Sequence, residues 1–185
     1  MPQKLHLTQL NRMSVSEFRN ARKRPVEVVL DNIRSAGNVG SIFRSADAFR
    51  INKIWLCGFT PVPPDRELSK TALGAEKSVA WEYRTDATAL LQELKDSGYR
   101  CIAVEHTDAS KPLNDFTPPA EPLLLILGNE VFGVQQHLID LCDASVEIPQ
   151  FGTKHSLNVS VCAGIVLWQL TQKIEPDGLS VQQLK

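Results

Sequence analysis

Short apolar runs of strand length alternate along the chain with longer segments whose apolar residues recur every three to four positions. VEVVL (26–30), KIWLCGF (53–59), RCIAV (100–104) and PLLLIL (122–127) are runs of the first kind. Continuous runs like these suit parallel strands covered on both faces. VAWEYR (79–84) predicts a short edge strand and SVEIP (145–149) a last one. Val39, Ile42, Phe43 and Ala46 predict a helix over 38–49. Ala87, Leu90, Leu91 and Leu94 predict another, closed by Gly98 at its C-terminal cap. A short helix is expected over 135–141, and the proline-rich TPVPPD (60–65) cannot join a sheet interior. The strongest helical signal covers 158–172. There Val159, Cys162, Ala163, Val166 and Leu170 make one stripe, and Val161, Ile165 and Trp168 a second. A helix apolar on two sides in so small a domain predicts a subunit interface.

Strands alternating with helices predict an α/β fold, a mostly parallel sheet with helices on both faces. Ligands of such sheets sit outside the carboxyl ends of the strands. That rule directs attention to the loops after Leu30, Leu127 and Pro149. The first, DNIRSAGNVGSIFRSADAF (31–49), is polar, carries glycines and opens a helix bearing Arg44. The second, LGNEVFGV (127–134), sets two glycines around Asn129 and Glu130. The third, IPQFGTKHSLNVSV (148–161), has Gly152, Ser156 and Asn158 at the entry of the last helix. Freed backbone groups and helix N-termini can bind a nucleoside. Taken singly, the same residues are ordinary turn and cap residues.

The 185 residues, 43% hydrophobic, are enough for one domain with a real core. The net charge of −1 argues against a nucleic-acid partner until it is divided. Residues 1–24 hold six cations against one acid, a +5 arm, and the remaining 161 residues carry −6. No apolar stretch reaches the length of a membrane span, and the start lacks the apolar core of a signal peptide. Cys57, Cys101, Cys142 and Cys162 are scattered without a CxxC pair, so a reducing cytoplasm is expected. Phosphate-loop, dinucleotide and nucleophile-elbow signatures are absent, and the four histidines lack metal-ligand spacing. The expectation is a site with neither metal nor covalent nucleophile. The aromatic residues show no cluster of the kind a single-strand-binding platform requires.

In this order and spacing, the three loops resemble the motifs of the SpoU/TrmH family of RNA 2′-O-ribose methyltransferases, in the SPOUT superfamily. The similarity runs over roughly residues 25–172, and the third motif, EIPQFGTKHSLNVSV, is its most specific part. The resemblance implies a C-terminal deep trefoil knot, S-adenosylmethionine as cofactor without a metal, and a homodimer. It implies cofactor-binding positions at Gly128, Ile148 and Leu157, and a catalytic set of Arg44, Asn38, Glu130, Ser156 and Asn158. Arg44 stands at the position that activates the ribose hydroxyl. A guanidinium is effectively always charged, so the reading here is a positioned cation that stabilises developing alkoxide, with an RNA phosphate accepting the proton.

Where many relatives carry a separate RNA-binding domain, this chain has a basic arm (1–24), then a methyltransferase domain (25–175) and a peripheral tail (176–185). RNA contact is expected from Arg19, Arg22, Lys23 and Arg24 of the arm, with Arg34 and Lys154. The alternative for the arm is a solvated helix docked on the body. The leading function is cytoplasmic methylation of tRNA rather than rRNA. A catalytically silent SPOUT-fold RNA-binding protein and a small-molecule methyltransferase are the competing readings.

Overall fold

The buried strand β1 (Arg24–Asp31) sends alternate side chains into two separate cores. Val26, Val28 and Leu30 enter one, and Val29 the other, so the strand needs helices on both faces. The computed structural model describes residues 2–6, 9–10 and 12–174, and the expected tail, 176–185, lies outside the described residues. Beside β1 lie β2 (Ile51–Cys57) and, buried at all five positions, β6 (Leu123–Leu127). The remaining strands are β3 (Ala80–Arg84), β4 (Arg100–Val104), β5 (Lys111–Pro112) and β7 (Ala144–Glu147). They complete a seven-stranded sheet in the order β3-β2-β1-β6-β4-β7-β5. Every pairing is parallel, so all strands end at one edge.

The first core is covered by α2 (Ala36–Ala48), α3 (Arg66–Ala72), α4 (Ala75–Ser78) and α7 (Val159–Thr171). The second is covered by α5 (Ala87–Asp96) and α6 (Gln136–Ile139). On that second side Glu27 is buried at the start of the sheet. Its carboxylate accepts from Trp55 Nε1 (2.6 Å), Asn52 Nδ2 (2.6 Å) and Tyr99 Oη (2.9 Å). Three donors offset the cost of burying the charge. Helix α7 buries Val159, Ala163, Val166 and Leu170 and leaves Val161, Ile165 and Trp168 exposed, the two stripes expected of it.

The basic arm is not a free tether. Ser14 and Glu17 form a capping box that starts α1 (Val15–Asn20), and Phe18 plugs into the first core. Arg19 donates from Nε and Nη2 to the Lys77 carbonyl (2.9 and 2.6 Å). Lys23 donates to the carbonyls of Phe18 and Ala21 and lies over the Phe18 ring. Arg24 is the first residue of β1 and is buried. Its Nε reaches the Ile174 carbonyl (2.9 Å) and its Nη1 the Phe49 carbonyl (2.7 Å). The expectation that Arg24 contacts RNA is therefore corrected, because its guanidinium is enclosed by backbone acceptors. α1 lies where the strands begin, and β1 alone spans roughly 23 Å to the edge where they end. The docked-helix alternative describes the arm better than a free RNA strap.

Candidate active site

At the edge where the strands end, the loops after β1, β6 and β7 are joined by hydrogen bonds. Ser35 caps α2 by accepting the Asn38 N–H (3.2 Å). Glu130, from the second loop, accepts the N–H groups of Arg34 (2.8 Å) and Ser35 (3.0 Å) and the side-chain amide of Asn38 (2.9 Å). Burial alone would push the Glu130 carboxyl up. The Arg34, Asn38 and Ser35 bonds and its own backbone N–H more than offset that, and hold it below the ordinary carboxylate value. Asn158 of the third loop donates from Nδ2 to Asn38 Oδ1 (3.1 Å). Its own Oδ1 caps α7, accepting the N–H groups of Ser160 (2.9 Å) and Val161 (3.3 Å).

The second loop folds back on itself. Asn129 and Gly133 exchange backbone hydrogen bonds (3.0 and 2.8 Å), and Asn129 Nδ2 donates to the Asn32 carbonyl (2.7 Å). A Cβ at Gly128 would stand 2.2 Å from the Gly133 carbonyl, so only glycine permits this approach. Gly133, at φ +66°, leaves room for the Glu105 carboxylate, which accepts the Val134 N–H (2.8 Å).

Beneath these loops lies a cavity of 580 Å³. Gly128, Ile148 and Leu157 line it, as do Glu130, Ser156 and Asn158. A larger open cleft of 740 Å³ sits at the opposite edge around Arg19, Lys23, Lys77 and Trp81, away from all three loops. Arg44 is not part of the hydrogen-bonded set. It is exposed on α2, about 9 Å along the axis from Asn38, next to Ser45 where α2 meets Gly164 of α7. Arg34 and Lys154 are exposed at the site edge.

Two features escaped the sequence reading. Glu105 and the pair His106–Glu147 (Nδ1 to Oε2, 2.9 Å) line the cavity from the ends of β4 and β7. The hydrogen bonds from Ser110 and His106 hold the Glu147 carboxyl below its ordinary value. The signal available was position alone, polar residues directly after buried strands. The second feature is aromatic. Phe59, Phe132 and Phe151 are all exposed on loops of this edge, a placement the sequence reading did not single out. Residues far apart in the chain meet here because parallel strands share an edge.

Comparison with known proteins agrees with this fold. The 23S rRNA (guanosine-2′-O-)-methyltransferase RlmB of Neisseria meningitidis is 32% identical over 148 residues, 80% of this chain and 58% of that protein. The chain thus spans little more than half of that relative's length. The tRNA (guanosine(18)-2′-O)-methyltransferase of Aquifex aeolicus is 27% identical, with 88% of this chain and 76% of that protein covered. A crystal structure of AdoMet-bound rRNA methyltransferase from Sinorhizobium meliloti superposes with a TM-score of 0.76 at 27% identity. That likeness covers 88% of this chain and 61% of the other. No helix among the described residues is long and apolar enough to cross a membrane. The family pattern described as SpoU rRNA Methylase matches residues 25–168, from the first strand through the last helix and across all three loops: the chain belongs to that family.

Proposed function

We propose that this chain transfers a methyl group from S-adenosylmethionine to a ribose 2′-hydroxyl in RNA. The observation that carries this reading is the tie of Asn38, Glu130 and Asn158 across three loops at a 580 Å³ cavity. That volume is within the usual small-molecule range of about 300–1,000 Å³. Backbone groups of Gly128, Ile148 and Leu157 would hold the cofactor, since all three residues line the cavity and Gly128 has no side chain to fill it. When bound, it supplies a methyl group on a positively charged sulfur.

Glu130 is a poor candidate for the base. Its oxygens already accept three hydrogen bonds, and its carboxyl is held in the ionised form. It fixes the loops instead, and Asn38 and Asn158 present the ribose. Ser156, at the cavity wall, contacts the substrate. Arg44 acts as the cation that stabilises the developing alkoxide, and a phosphate oxygen of the RNA takes the proton.

Arg44 lies beside the uncovered stripe of Val161, Ile165 and Trp168, which supports a homodimer in which a second copy covers α7 and completes the site. The sheet order supports the trefoil knot. After β7 the chain must pass back over the ends of β4 and β6 to set Asn158 against Asn38. Of the two RNA classes named for the relatives, tRNA is the first choice, because more of the tRNA enzyme's length is covered. The compartment is the cytoplasm. With Arg44 apart from the bonded residues within one chain, the competing reading is a silent RNA-binding protein. Mapping ribose methylation in total RNA from cells with and without this chain decides between them: a lost site supports the enzyme, and an unchanged map overturns it.

A further inference from the structure

Of the seven phenylalanines, Phe18, Phe43 and Phe116 are buried and Phe49 is half-buried. Phe59, Phe132 and Phe151 are 62%, 83% and 97% exposed, and all three stand on loops at the site edge. We propose that Phe132 and Phe151 are base-stacking residues that receive unpaired nucleotides flanking the one whose ribose enters the cavity. The proposal rests on the RNA methyltransferase reading and narrows its substrate class to RNA loops or bulges.

Phe132 is carried on a rigid support. Its N–H donates to Asn129 Oδ1 (3.2 Å), and Asn129 is itself bridged to Gly133 and tied to Asn32. Phe132 lines the cavity mouth, so its ring is held in water beside the expected position of the target ribose. Phe151 follows Gln150, which lines the same cavity and lies 3.2 Å from His106 Nε2. Each ring has an exposed cation on its own loop or on the loop hydrogen-bonded to it. Arg34 is bound through its N–H to Glu130, two residues before Phe132, and Lys154 is three residues beyond Phe151. Rings that stack on bases next to cations that take phosphates form the pattern of single-strand recognition. The faces of bases in a duplex are already stacked, so exposed rings select nucleotides that are splayed out. Phe59, tied by its N–H to Asn32 Oδ1 (3.2 Å), extends the same edge.

The test measures binding of a labelled oligoadenylate strand, alone and paired with oligouridylate, to wild type, Phe132→Ala, Phe151→Ala and the double variant. Each single change is expected to weaken single-strand binding about 5- to 100-fold. Duplex binding stays constant in each, and S-adenosylmethionine affinity stays constant in Phe151→Ala, because Phe151 does not line the cavity. Phe151→Trp restores affinity, and its fluorescence is quenched by the strand. With tRNA transcripts as methyl acceptors, KM rises while kcat holds. A double variant that binds the single strand like wild type overturns the proposal. So does one that loses self-association in sedimentation while RNA affinity holds, since the rings are then a protein interface. If the wild type binds the strand through these rings but methylates no RNA, the stacking stands and the methyltransferase reading falls.

Discussion

Asn38 donates its side-chain amide to Glu130 Oε1 at 2.9 Å, a bond between residues 92 positions apart. Because the other face of the Asn38 amide accepts from Asn158, this one contact holds three loops in a single arrangement. Glu130→Ala leaves the Arg34 and Ser35 N–H groups and the Asn38 amide without an acceptor. The expected cost is about 1–3 kcal/mol in urea unfolding, with weakened cofactor binding. The pH dependence has a defined sign. A carboxyl held below its ordinary value stabilises the fold above that value and loses this contribution as the pH falls. Wild-type Tm is therefore expected to drop more steeply than that of Glu130→Gln between roughly pH 5 and pH 3.

Arg44→Ala is expected to lower the methylation rate by at least about 100-fold, the scale of a lost electrostatic stabiliser. Cofactor affinity, measured by calorimetry, stays within about twofold of wild type, because Arg44 does not line the cavity. Undiminished turnover would remove Arg44 from the mechanism.

Trp168 is 56% exposed on α7, its ring centroid 6.0 Å from that of Phe49. Trp168→Asp places a charge at the C-terminal end of the exposed apolar stripe, on its largest side chain. Sedimentation velocity is expected to show a shift from dimer to monomer, with unfolding stability changed by less than about 1 kcal/mol because the site is exposed. A wild type that sediments as a monomer would overturn the proposed dimer, and a variant that still sediments as a dimer would place its interface elsewhere.

Tyr99 donates to the buried Glu27 carboxylate, and burial, reinforced by that bond and charge, pushes its phenol up to about 12. A raised phenol stabilises the fold fully below its ordinary value of 10 and loses that contribution as the pH climbs to about 12. Wild-type stability is expected to fall across this window, and Tyr99→Phe to flatten the slope. An unchanged slope in the variant would assign alkaline unfolding to other groups.

Much of this architecture was legible in periodicity. The stripes of α7 and the buried runs of β1 and β6 are dictated by which side chains must leave water, and the sequence states that directly. The Ser14–Glu17 capping box is equally legible in the sequence, although the arm's charge alone does not reveal it. What periodicity could not show is where a cation's hydrogen bonds go. Arg19, Lys23 and Arg24 look like an RNA strap in one dimension, yet they stitch the arm to backbone carbonyls. Exposure of Phe132 and Phe151 was hidden for the same reason, since an aromatic residue in a loop reads equally as anchor or platform. Glu105 and His106 reach the cavity only through strand order, which depends on pairings between distant residues.

Arg24 fastens the start of the first strand to Ile174, the last residue described at the other end of the chain. Arg24 and Ile174 thus meet on the face opposite the three loops. A fusion partner joined directly after Ile174 would start on the side away from the cavity mouth. A recognition module joined there would need a linker long enough to round the sheet, at least roughly 23 Å, before it could touch the same RNA. Immobilising the protein through the Ile174 side is the orientation that leaves the three loops facing solution.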